Sequence, residues 1–218
     1  MCIQAEREMV NLPDTEIIND IISREWEMFQ QTTNAGGRAS CQDDYDTFYG
    51  MRFGQFVSWS QDVLESYLND LKAAEQAGRN LIAEKYLNMM EHTYPEEYEL
   101  QKAALHELSA EHRALADTIC EEMISMTIPL REEFPRVCNS GRPLRSSEDL
   151  LWGPSVETYQ RGELYTYSYE TLTALKKHID TLRSQGLSLA RLILENSVRH
   201  YGYESLEKAE KAIGRASE

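Results

Sequence analysis

The chain has 218 residues, 22 Lys and Arg against 37 Asp and Glu, and 41% apolar residues. A chain of this size buries one substantial core, and its formal charge of −15 argues against a broad nucleic-acid-coating surface, because such surfaces neutralise phosphates with Lys and Arg. No run approaches the roughly 18 apolar residues of a membrane span, and Met1 to Glu8 lacks a basic region followed by an apolar one, so neither membrane spans nor classical secretion is expected.

Cys2, Cys41, Cys120 and Cys138 form no CxxC pair and no Cys/His cluster at zinc spacing, which points to a reducing cytoplasm. Positive charge is concentrated late: residues 1–105 carry 8 basic and 19 acidic residues, and residues 106–218 carry 14 and 18.

Helical periodicity begins after Asp14, the expected cap, with Ile17, Ile18, Ile21, Ile22, Trp26 and Phe29. A helix is expected near 43–53, another after Ser60 through Val63, Leu64, Tyr67, Leu68 and Leu71, and a further one near 81–92. Others are expected over about 109–134, 168–183 and 188–200. No stretch alternates in the manner of a strand, so the expected fold is all-α.

The chain also aligns with itself. Gly54 to Glu96 matches Gly162 to Glu204 without a gap at an offset of 108, with identities at Gly54/Gly162, Ser60/Ser168, Leu64/Leu172, Gly78/Gly186, Leu81/Leu189, Asn88/Asn196, His92/His200 and Glu96/Glu204. The core series Leu64, Tyr67, Leu71, Ala74 falls on Leu172, Leu175, Ile179, Leu182. Two helical repeats, 1–105 and 106–218, packed about a pseudo-twofold axis as one domain, account for this; chance similarity between amphipathic helices is the alternative.

Two Gly-Arg loops place an arginine, hydroxyl or thiol groups and paired carboxylates at the mouth of a helix, whose free N–H groups favour anions. The first holds Arg38, Ser40, Cys41, Asp43 and Asp44; the second holds Arg142, Arg145, Ser146, Ser147, Glu148 and Asp149. Helix capping by itself accounts for the serines and carboxylates. It does not require the arginine, nor its recurrence. In the functional reading the carboxylates hold a guanidinium and the arginines hold a phosphate or carboxylate.

Ser40, Cys41, Ser146 and Ser147 are candidate nucleophiles or oxyanion supports, although no GxSxG elbow accompanies them. Glu27 and Glu132 are candidates for proton transfer if they face an apolar pocket, where burial raises a carboxyl pKa; solvated positions are the alternative. His200 coincides with His92 in the alignment and is a third such candidate, against a plain role at the negative end of a helix dipole. No histidine has metal-site spacing, so no metal is expected. Lys176, Lys177, Arg183, Arg191, Arg199, Lys208, Lys211 and Arg215 are the place to look for RNA contact, against a solvated helical surface.

With Arg161-Gly162-Glu163-Leu164 and Tyr201-Gly202-Tyr203-Glu204-Ser205-Leu206, the two loops resemble a microbial family catalogued as a domain of unknown function, number 4125, over nearly the whole chain. That family is in turn similar to the fungal arginine-containing cyclodipeptide synthases, which join arginine to a second amino acid from aminoacyl-tRNAs and release a diketopiperazine. The resemblance assigns no role to any single residue. It implies a tRNA-dependent cyclodipeptide synthase with arginyl-tRNA as a partner, met by a local basic surface. Aminoacyl esters are already activated, so no cofactor is expected, and neither a P-loop nor a dinucleotide fingerprint occurs. Asp43, Asp44, Glu148 and Asp149 would recognise arginine, and the two loops would form two related pockets, one for each aminoacyl group. A non-catalytic helical module binding a charged metabolite or a partner protein, and an enzyme acting on a free small molecule, are the alternatives.

Overall fold

The computed structural model describes residues 14–33, 37–139, 141–149 and 153–216; Cys2 lies outside them. Among the described residues the fold is all-α, with eleven helices and no strand. They are α1 (Thr15–Gln31), α2 (Tyr45–Phe56), α3 (Gln61–Gln76), α4 (Leu81–Thr93), α5 (Pro95–Gln101), α6 (Ala110–Glu133), α7 (Pro135–Asn139), α8 (Val156–Leu164), α9 (Tyr169–Ser184), α10 (Leu189–His200) and α11 (Leu206–Ala216). Short 3-10 turns occupy Ser40–Asp43 and Ser146–Glu148, inside the two Gly-Arg loops.

The expected caps are in place with one difference. The Asp14 carboxylate accepts the Glu16 N–H at 2.9 Å, and the Ser168 hydroxyl accepts that of Thr171 at 3.1 Å. Ser60 adopts the same extended cap conformation, but its side chain makes no capping bond. Its carbonyl opens the helix by accepting from Val63 and Leu64, both at 3.1 Å. Gly78 and Gly186 close α3 and α9 with φ of +68° and +72°, the left-handed conformation that a side chain disfavours.

α3 and α9 pack together at the centre, and the two aligned series Leu64, Tyr67, Leu71, Ala74 and Leu172, Leu175, Ile179, Leu182 are all buried. α1 covers α3 and α6 covers α9. Two further contacts run crosswise along the chain, α2 lying against α10 and α4 against α8.

Glycine makes both crossings possible. A Cβ on Gly54 of α2 would stand 2.5 Å from Ser197 Oγ and 3.0 Å from its backbone nitrogen. One on Gly162 of α8 would stand 2.7 Å from Met89 Cγ and 2.8 Å from the Lys85 carbonyl oxygen. Gly54 and Gly162 are 108 positions apart, and so are Met89 and Ser197.

Candidate functional site

The crosswise packing brings four charged side chains into the interior: Glu25 of α1, Arg52 of α2, Lys85 of α4 and Glu163 of α8. Each sits on the inward face of its helix, where an apolar residue would otherwise be. A buried charge is tolerated only when paired and hydrogen-bonded, and here the pairing is continuous.

Arg52 donates through Nε to Glu25 Oε2 at 2.6 Å and through Nη2 to Glu25 Oε1. Its Nη1 donates to Glu163 Oε1 at 3.0 Å and to Gln55 Oε1 at 3.0 Å. Lys85 Nζ donates to Glu163 Oε2 at 2.5 Å and lies 3.6 Å from the centre of the Tyr159 ring, over its face. Tyr67 donates to Glu25 Oε1 at 2.7 Å, Tyr167 donates to Glu163 Oε1 at 2.7 Å, and Gln55 Nε2 adds a third donor to that oxygen at 3.2 Å.

Burial alone would push the Glu163 carboxyl towards its neutral form, but Arg52 and Lys85 outweigh burial and hold it well below the usual carboxylate range. Burial likewise disfavours charge on Arg52 and Lys85, and Glu163 reverses this for both, with Glu25 helping at Arg52. Burial first, and the adjoining carboxylates second, push the Tyr67 and Tyr167 hydroxyls up, so both stay protonated donors.

Two cavities flank this centre. The first, about 290 Å³, has Lys85, Arg52 and Tyr86 in its wall, with Cys41, Asp44 and Arg142 also lining it. The second, about 370 Å³, lies between α6, α8 and α10 and is walled by Trp59, Leu130, Leu175, Ile193 and Leu194, with Glu163 and Gln160 among its polar members. Gln55 and Tyr159 line both cavities.

The linings correspond at the offset of 108. Met51, Ile82 and Tyr86 of the first cavity fall on Tyr159, Ala190 and Leu194 of the second, and Gln55 falls on Glu163. The cations are where the two differ: Arg52 and Lys85 fall on Gln160 and Ile193. One cavity is therefore charged and the other largely apolar.

The structure distributes the sequence-derived candidates unevenly. Cys41 and Asp44 of the first loop and Arg142 of the second line the charged cavity together. Asp44 caps α2 by accepting the Thr47 N–H at 3.0 Å, which lowers its pKa and keeps it ionised. Arg38 and Asp43 are bonded to each other at 2.9 Å, and Arg38 also donates to Gln30 and to the Gln42 carbonyl, so this pair staples the loop. Ser40 is exposed.

The second loop does not form a matching pocket. Arg145, Ser146, Ser147, Glu148 and Asp149 line neither cavity. Arg145 forks onto Glu121 at 2.6 and 2.9 Å, and the Ser146 N–H donates to Glu157 at 3.0 Å. Asp149 is buried and accepts the Ser155 N–H at 2.6 Å and the Thr158 hydroxyl at 2.5 Å, fixing the entry to α8. Ser147 and Glu148 are exposed.

Glu27 and Glu132 are exposed, and neither lines either of these cavities; the inward carboxylate of α1 is Glu25, two residues before Glu27. His200 is also exposed, its ring centre 6.0 Å from that of Tyr49, outside both cavities. Sequence reading passed over Glu25, Arg52, Lys85, Tyr159 and Glu163 as site residues.

The late basic residues are largely engaged by carboxylates. Lys176 pairs with Asp180 and Glu122, Arg183 with Glu122 and Asp180, Arg191 with Glu133, Arg199 with Glu195, and Lys208 with Glu204. The side chain of Arg215 lies outside the described residues. Among the described residues no group of three His, Cys, Asp or Glu is placed to hold a metal, and no helix is long and apolar enough to cross a membrane.

No curated protein and no solved structure matches the chain. A family of proteins of unknown function (DUF4125) matches residues 15–211, a span that includes every residue of both cavities, and the chain belongs to that family.

Proposed function

We propose that this protein is a tRNA-dependent cyclodipeptide synthase that joins arginine to a second amino acid, working in the cytoplasm where charged tRNAs are available. The observation that carries the reading is the convergence of both Gly-Arg loops on one charged cavity, through Cys41, Asp44 and Arg142. Beside it lies a second cavity that shares Gln55 and Tyr159, which suits a reaction between two bound groups.

Asp44, ionised at the mouth, is the group to meet the guanidinium of an arginyl chain. Lys85 and Arg52, both paired with Glu163, stand in the wall and would face the oxyanion character that develops at an ester carbonyl under attack. In direct aminolysis the free amine of one aminoacyl group attacks the ester carbonyl of the other. A C–N bond forms, the C–O bond to the tRNA breaks, and the first tRNA leaves with its hydroxyl restored. The second amine then attacks the remaining ester and closes the ring, releasing the second tRNA. A covalent route would instead pass the first acyl group to the Cys41 thiol as a thioester before the amine attacks. The two-repeat reading of 1–105 and 106–218 fits this scheme, since the paired cavities are built from positions 108 apart.

A second reading is favoured by the ion pairs of the late basic residues, which leave those cations less available to phosphates: a module or enzyme that takes a free charged metabolite and needs no tRNA. The deciding experiment supplies purified protein with labelled arginine, mixed tRNA, all amino acids, the synthetases and ATP, with and without ribonuclease. A ribonuclease-sensitive arginine diketopiperazine by mass spectrometry is expected. A product that survives ribonuclease, or none from folded protein beside a working synthase control, turns the assignment to the second reading.

A further inference from the structure

We infer that the second cavity seats the apolar side chain of an amino-acid substrate; as part of a condensation this rests on the synthase reading, but as a binding site it stands on the cavity itself.

Three observations carry it. The cavity is more than twice the roughly 150 Å³ in which an engineered apolar cavity holds benzene, so a leucine or phenylalanine side chain fits. Among its polar members are Gln55, Tyr159, Gln160 and Glu163, the first two of which also line the charged cavity. A side chain inserted among Leu130, Leu175, Ile193 and Leu194 can therefore leave its backbone amine and carbonyl near the wall that both cavities share.

The third observation excludes a cationic occupant. Glu163 is the acidic group of this lining, and its oxygens already accept from Arg52, Gln55, Lys85 and Tyr167. A lysine or arginine side chain entering here would lose hydration and find no available counter-charge. Where the charged cavity has Lys85 and Tyr86, this one has Ile193 and Leu194, so the two select different side chains.

The test is calorimetric titration of the full chain with L-leucinamide, L-phenylalaninamide and L-lysinamide, which carry an amino acid's amine and acyl carbonyl without tRNA. The apolar amides are expected to bind at least tenfold more tightly than lysinamide. Ala190→Phe, which fills the cavity, should weaken them at least tenfold with an unchanged melting temperature. Ile193→Lys, which installs the residue type of the charged cavity at a half-buried position, should do the same if Ala190→Phe does not fold. Equal binding of lysinamide, no binding of either apolar amide, or undiminished binding by a folded variant overturns the inference.

The two readings fail separately. Selective apolar binding without any diketopiperazine keeps the site and removes the synthase. A diketopiperazine from a protein whose amide binding shows no apolar preference keeps the synthase and removes the site.

Discussion

Gln55 and Glu163 stand 108 positions apart in the chain and 3.2 Å apart in the fold, the amide of one donating to the carboxylate of the other. They occupy corresponding places in the two aligned segments and meet at the boundary of the two cavities. Arg52 binds them both and ties them to Glu25.

Replacing Arg52 with Met should cost about 3–5 kcal/mol, because it leaves buried Glu25 without its cation while Glu163 keeps Lys85. Urea denaturation reads the loss. Glu25→Leu added to that variant should recover part of it, since it removes the stranded charge.

Stability should fall on both sides of the neutral range. Glu163 has a folded pKa below its unfolded value of about 4.3, so as pH drops below that value the unfolded chain takes up the proton first and the stabilisation fades. Lys85 has a folded pKa above its unfolded value of about 10.4, so its contribution is complete below that pH and is lost as pH rises through the folded value. Denaturation midpoints from pH 3 to 11 check both limbs, and Glu163→Gln should flatten the acid one.

Gly162→Ala should destabilise by about 1–3 kcal/mol, because the added methyl meets the Lys85 carbonyl, a backbone atom that cannot step aside. Gly50→Ala, whose methyl would meet the exposed His200 ring, should be neutral or slightly stabilising once the ring swings out. Thermal melting of the two variants distinguishes packed backbone from a movable side chain.

Asp44→Asn keeps a good cap, since Asn serves that position as well as Asp. The melting temperature should hold while arginine incorporation falls at least tenfold. Asp149→Asn should do the opposite, costing about 1–3 kcal/mol of stability through its two buried hydrogen bonds. Paired melting and product measurements on both variants check the division of roles between the two loops.

The periodic helices were legible because their apolar faces are nearly uninterrupted, as in Ile18, Ile21 and Ile22 of α1 or Leu172, Leu175 and Ile179 of α9. α8 was not, because the face it buries includes Thr158, Gly162 and Glu163, which carry no hydrophobic signal. The same masking hid the charged centre. Glu25 falls three residues after Ile22 and three before Met28, squarely on the apolar stripe, while Glu27 lies off it. Lys85 likewise sits between Ile82 and Met89. A charged residue in register with a buried stripe was the readable clue; which charge would face which could not be read, since Glu163 reaches Lys85 only through the crossing of α4 and α8.

That crossing also orders assembly. By the time residues 1–105 have left the ribosome, Arg52 can meet Glu25, a local closure of 27 positions. Lys85 must wait for Glu163, 78 positions further on, and α2 must wait for α10. Until then the nascent first half carries a cation bound for the interior with no anion to receive it. Non-local contacts are slow to form, so pulse-labelled hydrogen exchange should find α4 protected only together with α8.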